Sequence, residues 1–217
     1  MLAVILADAP QADIRSALPL LSSTDLLIAA DGGARHALNH GVTPHVIIGD
    51  LDSIQPAMLE IMQARKVEIL RFPAAKNETD LELALLLAVE RGADQIRILA
   101  ALGGRPDMHM ANQLLLTHPS LIGRDVALLD GAWEVRLIRQ QLEFQGKAGL
   151  RVSLLPLGDV GGVRTEGLRY PLRDEDLPIG PARGVSNEFA APNAQVSIRS
   201  GLLLAMIERE LQAGYVA

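Results

Sequence analysis

The chain has 217 residues, 49% of them hydrophobic, 3% aromatic and none of them cysteine, with a formal net charge of −6. That length and apolar content suffice for a buried, largely aliphatic core in one large domain or two modest ones. The lack of cysteine excludes disulfides, thiolate metal sites and cysteine nucleophiles, and the acidic balance argues against a general nucleic-acid binder, though not against a nucleotide held by a metal and a few arginines.

The first apolar run, Leu2 to Ala7, has no basic flank and is too short for a signal or a membrane span. It reads as a buried strand, in a soluble cytoplasmic protein that uses no membrane. Leu26 to Ala30, Val46 to Gly49, Val67 to Leu70, Ile96 to Ala100 and Val126 to Leu129 are further short apolar runs, the pattern of strands buried on both faces. Helical stretches lie between them: Ala34 to His40, closed by Gly41; Pro56 to Arg65; Thr79 to Arg91; and Asp107 to His118, stopped by Pro119. Thr79-Asp80-Leu81-Glu82 has the spacing of a capping box, with Thr79 as N-cap and Glu82 at N3. Alternating strands and helices predict an α/β half with a mostly parallel, Rossmann-like sheet, whose ligands sit beyond the strand carboxyl ends.

After about Leu129 the texture changes. Trp133 to Ile138, Gln141 to Phe144, Leu150 to Leu155, Gly162 to Thr165, Leu168 to Leu172, Gln195 to Ile198 and Leu202 to Ile207 are short strand-like runs punctuated by Gly and Pro. They predict an antiparallel all-β sandwich or barrel. The expected division is residues 1–130, an α/β domain, and residues 131–217, an all-β domain.

Ile47-Ile48-Gly49-Asp50-Leu51-Asp52-Ser53 delivers two carboxylates at a strand end. If the backbone stays extended there, residues i and i+2 face the same side. The pair is then either a solvated turn or the start of a hard-cation site such as Mg²⁺, which keeps several waters and recruits phosphates. Asp80, in the first turn of a capped helix, either serves the helix dipole or completes that site. Ala30-Asp31-Gly32-Gly33-Ala34 joins a strand to a helix; Gly32 and Gly33 let backbone approach a phosphate or ribose, or simply turn the chain with Asp31 as cap. Lys76 lies in a polar loop and is a phosphate contact or a solvated charge. Gly103-Gly104-Arg105-Pro106-Asp107 places Arg105 to grip a phosphate and Asp107 to cap a helix or accept a proton. The five histidines do not cluster with metal-ligand spacing, and no Walker A loop or G-x-S-x-G elbow occurs.

Taken in order, these stretches resemble the thiamine pyrophosphokinase family. The match rests on Ala30 to Ala34, Ile48 to Ser53, Lys76 to Glu82, Gly103 to Asp107 with Asn112, Thr165 to Leu172, and Gly184 to Glu188. The resemblance implies an N-terminal α/β domain, a C-terminal thiamine-binding β-sandwich and a homodimer with active sites between subunits. It implies transfer of the pyrophosphoryl group of ATP to thiamine, giving thiamine diphosphate and AMP, with Mg²⁺ as cofactor and no nucleic-acid partner. It gives Asp50, Asp52 and Asp80 the metal and phosphates. It puts Asp31, Gly32, Gly33, Lys76, Thr79 and Asn112 around the nucleotide. Arg105 and Asp107 then lie at the transferring group, and Ser186 and Asn187 at the thiamine pyrimidine. Phe189 is a candidate ring partner for thiamine, or a core residue.

Three departures stand out. Asn77 replaces a frequent Asp. Met108 replaces the family's His, with His109 one place on and turned by about 100° on a helix. Ala7-Asp8-Ala9-Pro10 stands where the family tends to have glycines. Two other readings compete: a non-catalytic thiamine or nucleotide sensor on the same scaffold, and a Mg²⁺-dependent sugar-nucleotide transferase using Asp50 and Asp52.

Overall fold

The computed structural model describes residues 1–211; the last six residues of the expected second domain lie outside them. The chain divides into two compact units, the first Met1–Gly131 and the second beginning at Ala132.

In the first unit, strands β1 (Leu2–Leu6), β2 (Leu26–Ala30), β3 (Val46–Gly49), β4 (Glu68–Arg71), β5 (Gln95–Leu99) and β6 (Asp125–Asp130) line up in the order β6-β5-β1-β2-β3-β4. Every neighbouring pair is parallel. Parallel strands need crossovers, which here are helices α1 (Leu18–Ser23), α2 (Gly33–Asn39), α3 (Pro56–Ala64), α4 (Asp80–Glu90) and α5 (Pro106–Leu114). Burial on both faces explains the continuous apolar runs: Ala3 to Leu6, Leu27 to Ala29, and Ile96, Ile98 and Leu99 are almost fully buried. Because the strands are parallel, all their carboxyl ends fall on one edge of the sheet. The last helix ends at Leu114, short of His118, and tightens into 3₁₀ turns at Leu115–Thr117 and Pro119–Leu121. Pro119 disfavours helical geometry at His118, which is extended at ψ 132°. Among the described residues, no helix is long and apolar enough to cross a membrane.

In the second unit, strands β7 (Trp133–Ile138), β8 (Gln141–Gln145), β9 (Arg151–Pro156), β10 (Val160–Glu166), β11 (Arg173–Leu177), β12 (Asn187–Glu188), β13 (Asn193–Ser197) and β14 (Leu203–Glu208) pair antiparallel. Their orders are β12-β9-β14-β7 and β11-β10-β13-β8. An aliphatic core of Ile138, Val152, Leu154, Val163, Val196, Leu203 and Ile207 packs around Phe189.

The run Leu168 to Leu172 is not a strand. Leu168 makes one isolated bridge to Phe189, and Leu172 exchanges bonds with Thr165, whose N–H donates to Leu172 O and whose Oγ1 accepts from Leu172 N. Pro171 brings no N–H to a ladder. The two leucines are apolar because they anchor a turn, and both are buried. The strand at this place is β11, Arg-Asp-Glu-Asp-Leu, mostly solvated and held at the sheet edge by ion pairs of Asp174 with Arg164 and Arg199. Charges on an edge strand also discourage pairing with other chains.

Candidate active site

The carboxyl ends of the parallel strands open into a cleft of about 900 Å³. Asp31, Asp52, Lys76, Thr79, Asp80, Arg105, Met108 and Asn112 all line it.

Asp31, Asp50 and Asp52 come together. Each offers one carboxylate oxygen, and the three oxygens lie within 4.8 Å of one another. The gathering is not produced by an extended D-x-D. Strand β3 ends at Gly49, and Leu51 takes the left-handed conformation, φ 67°. Leu51 is buried with Ala29, Ile47 and Met62, so its side chain turns into the core while the aspartates on either side stay at the edge. Asp50 Oδ1 accepts the Asp52 N–H at 3.2 Å, closing the turn. Asp31 arrives from the end of β2, also left-handed at φ 44°, with its N–H donating to Ile48 O at 2.9 Å. Gly49 sits between neighbours: a Cβ there would lie 3.0 Å from both Asp31 Cβ and Asp80 Oδ1, at a φ of 152° that other residues rarely adopt.

Asp80 lies beside this group, outside the three whose oxygens gather within 4.8 Å of one another. Its Oδ1 is 2.9 Å from Lys76 Nζ, an ion pair between the start of α4 and the loop before it, and the same ammonium is 3.8 Å from Asp50 Oδ2. The Lys76 side chain is only 10% exposed, so it is a buried counter-ion rather than a solvated loop charge. Burial works against its ammonium, but Asp80, then Asp50 and Asp31, outweigh that and raise its pKa. One lysine against four aspartates leaves the site anionic. Asp31 carries the consequence. Burial, then the charges of Asp80 and Asp50, raise its pKa against the lowering effect of bonds from Ser53 and Gly32. Its Oδ1 is buried and accepts no hydrogen bond. An oxygen-only donor set with an orphaned buried carboxylate oxygen fits a hard divalent cation such as Mg²⁺.

A sign follows for stability. Asp31 ionises at higher pH folded than its usual 3.8. Its contribution is therefore complete below the unfolded value and is lost as pH rises through the folded one. In thermal melts without metal, the wild type is expected to lose stability from about pH 4 towards neutrality relative to Asp31→Asn, and Mg²⁺ at neutral pH restores the wild type only. Equal pH slopes for the two proteins would contradict this.

The remaining positions are less uniform. Thr79 Oγ1 accepts the Glu82 N–H at 3.2 Å, the first half of the capping box, while the Glu82 carboxylate lies 3.9 Å from His118 Nε2. Gly33 is packed directly on β1, where a Cβ would come 2.0 Å from Leu6 O, so this glycine permits helix-on-strand contact rather than approach of a ligand. Gly32 lies under the Asp8 carboxylate, which is clamped by Arg35 at 2.5 Å. The Asp8–Arg35 pair thus fills the edge where the family tends to have glycines. Asn112 is buried and donates to Ala101 O at 2.7 Å, tying α5 to the end of β5; its Oδ1 has no partner. Arg105 and Asp107 are 75% and 64% exposed and pair with each other at 2.6 Å on the rim. The Arg105 guanidinium holds the Asp107 carboxyl below its usual range, which disfavours Asp107 as a proton acceptor. Asn77 is exposed, outside the acid cluster.

In the second unit, Ser186, left-handed at φ 62°, lines a small cavity of about 170 Å³ with Tyr170, Arg183 and Val185. Asn187 is buried, and its carboxamide is bonded within the protein: Oδ1 accepts from Tyr170 N and Glu188 N, and Nδ2 donates to Tyr170 O. It braces Tyr170 rather than offering a free group. Phe189 is 2% exposed and stacks edge-on with Phe144 at 5.5 Å, which removes it as a ligand-facing ring. The exposed ring beside Ser186 is Tyr170, 49% exposed, with the Arg169 guanidinium 5.5 Å from its centroid. The signal for it was present in the sequence: Gly167 and Pro171 flank it and force a turn that leaves the ring outside.

Residues 17–126 match the family model described as thiamin pyrophosphokinase, catalytic domain, and residues 138–203 match thiamin pyrophosphokinase, vitamin B1 binding domain. A thiamine pyrophosphokinase of Bacillus subtilis (strain 168) is 27% identical over 182 residues, 82% of this chain and 85% of that one. Thiamine pyrophosphokinase 1 of Arabidopsis thaliana is 26% identical over 214 residues, 85% of this chain and 79% of that one. The crystal structure of thiamine pyrophosphokinase from Bacillus subtilis aligns with a TM-score of 0.86 and 26% identity, covering 97% of this chain and all of that one.

Proposed function

The chain belongs to the thiamin pyrophosphokinase family of enzymes, and from that premise we propose that it transfers the pyrophosphoryl group of ATP to the hydroxyl of thiamine, giving thiamine diphosphate and AMP. The observation that carries this reading is the cluster of Asp31, Asp50 and Asp52, with Lys76 and Asp80 beside it, in one cleft at the strand carboxyl ends. Phosphoryl chemistry asks a protein for positioning and charge neutralisation more than for a covalent nucleophile. That explains how a site without cysteine or a serine elbow suffices.

Asp31, Asp50 and Asp52 would hold Mg²⁺, with Asp80 adjoining. A bound Mg²⁺ supplies charge neutralisation for the phosphate oxygens. Lys76, held between Asp50 and Asp80, presents a positive charge inside a poorly solvated site, where it counts for more than at the surface. Arg105, aligned by Asp107, swings in from the rim to take phosphate in a bidentate fork. The thiamine hydroxyl attacks the β-phosphorus in line and gives its proton to a carboxylate of the aspartate cluster, the bond from the β-phosphorus to the α-phosphate oxygen breaks, and AMP leaves. Ser186 and the Tyr170 ring receive the thiamine pyrimidine, with Asn187 holding the Tyr170 backbone in place. A homodimer that shares its active sites belongs to the same proposal.

The two phenyl-type rings separate by experiment. Tyr170→Ala is expected to raise KM for thiamine about 3- to 10-fold, the worth of one aromatic stack, with stability unchanged. Phe189→Ala is expected to cost about 3–5 kcal/mol of stability, measured by denaturant unfolding, because it empties the core of the second unit. The opposite assignment of effects would restore Phe189 to the site. For the activity itself, purified protein with ATP, Mg²⁺ and thiamine should release AMP in a thiamine-dependent manner. AMP no greater than in the control without thiamine would reject the proposal.

A further inference from the structure

We propose that His109 is a positioning residue for the nucleotide, acting through the Gly103–Gly104–Arg105 turn. The inference rests on the reading of the cleft as the ATP site. His109 Nδ1 stands 2.9 Å from Gly103 N. A backbone N–H can only donate, so Nδ1 is the acceptor and the ring proton sits on Nε2. The bond closes a short loop that contains both glycines' exit and Arg105.

That loop has few other constraints. Gly103 and Gly104 are both left-handed, at φ 90° and 70°. A Cβ on Gly103 would meet nothing within 4 Å, whereas Gly104 rests against Pro10, whose Cδ would lie 3.1 Å from an added Cβ. Two adjacent glycines have the largest backbone freedom to lose, and a turn built from them stays in one shape only if something ties it. His109 is a firm anchor for the tie. Its own N–H donates to Arg105 O at 3.0 Å in the first turn of α5, and Asn112, one turn further on, fixes the helix to Ala101 O. The imidazole therefore fastens the glycine turn to a helix that is itself fastened to β5. The one-residue offset from the family pattern gains a physical meaning. Met108 lines the cleft, and His109, rotated onward along the helix, reaches back to the turn instead.

His109→Leu removes the acceptor and keeps an apolar side chain of similar reach. It is expected to raise KM for ATP about 2- to 10-fold, the usual worth of one hydrogen bond, with kcat, KM for thiamine and the unfolding temperature near wild type. His109→Asn, whose Oδ1 falls near the position of Nδ1, restores KM for ATP. Independently of turnover, exchange of the Gly103 amide proton measured by NMR without nucleotide should quicken in His109→Leu and return in His109→Asn. Unchanged Gly103 exchange in His109→Leu would overturn the inference. So would a fall in kcat at constant KM in both variants, the mark of general damage. A wild type that makes no AMP would instead reject the proposed activity, and the exchange measurement would still decide the tie.

Discussion

Asp52→Asn is expected to lower thiamine diphosphate formation by at least about 100-fold, the range seen when one group aimed at reacting charge is removed, while leaving the metal-free protein as stable as wild type or more so. Asp52 is exposed, and its side chain bonds locally: Oδ1 accepts from Ser53 Oγ at 3.1 Å. Nothing in the core leans on it. Its carboxylate oxygen lies within 4.8 Å of those of Asp31 and Asp50, so without a cation it repels both. Removing that charge relieves the metal-free fold and weakens the cation site at once. Activity and stability therefore move in opposite directions, which a merely structural aspartate would not produce. Steady-state rates at saturating Mg²⁺, with a melt of the same sample in chelator, check both halves. Full activity would remove Asp52 from the site, and a collapsed melt would make it structural.

Lys76→Met is the second large effect, and it falls on rate and stability together. Among the described residues, the ammonium is the one cation placed between Asp50 and Asp80, and it is nearly buried. Losing it should reduce turnover about 100-fold, because the charge developing on phosphate loses a preorganised partner. It also leaves carboxylates facing one another. Breaking a fully buried pair costs about 3–5 kcal/mol; with Asp80 a quarter exposed the expected loss at neutral pH is about 2 kcal/mol. The direction with pH is diagnostic. Asp31, whose pKa is already raised by burial and the charges of Asp80 and Asp50, also loses the nearby ammonium, so the variant regains stability as pH falls. Mg²⁺ at neutral pH should substitute for the proton. Urea melts at neutral and acid pH, each with and without Mg²⁺, read all four corners; a loss independent of both would mean Lys76 matters only through its aliphatic stem.

The parts of the fold that were legible are those where burial writes a pattern. The parallel strands β1, β2 and β3 are apolar on both faces and stand out as runs, while β5 carries Arg97 between Ile96 and Ile98 and is apolar on one face. Strand β11 was invisible because its side chains are solvated charges whose partners, Arg164 and Arg199, are distant in sequence. Leu168 and Leu172 misled because a buried turn anchor and a buried strand residue look alike. At the site, the acids were legible as acids, but their grouping was not. Asp31, not Asp80, joins Asp50 and Asp52, because two non-glycine residues, Asp31 and Leu51, are left-handed. Local pattern favours the ordinary conformation at such residues, and only the tertiary setting of a buried Leu51 reverses it. The Lys76–Asp80 pair is four residues apart, but Lys76 lies in the loop before the Thr79 cap, so helical geometry did not announce it. Arg105 and Asp107 were placed correctly at a strand-to-helix turn, yet they pair with each other on the rim.

The most direct measurement is a ³¹P NMR spectrum of the purified protein turning over ATP, Mg²⁺ and thiamine. Attack at the β-phosphorus gives AMP and thiamine diphosphate rising together in equal amounts, without ADP. ADP with thiamine monophosphate, or release of inorganic phosphate in place of a thiamine ester, would contradict attack at the β-phosphorus.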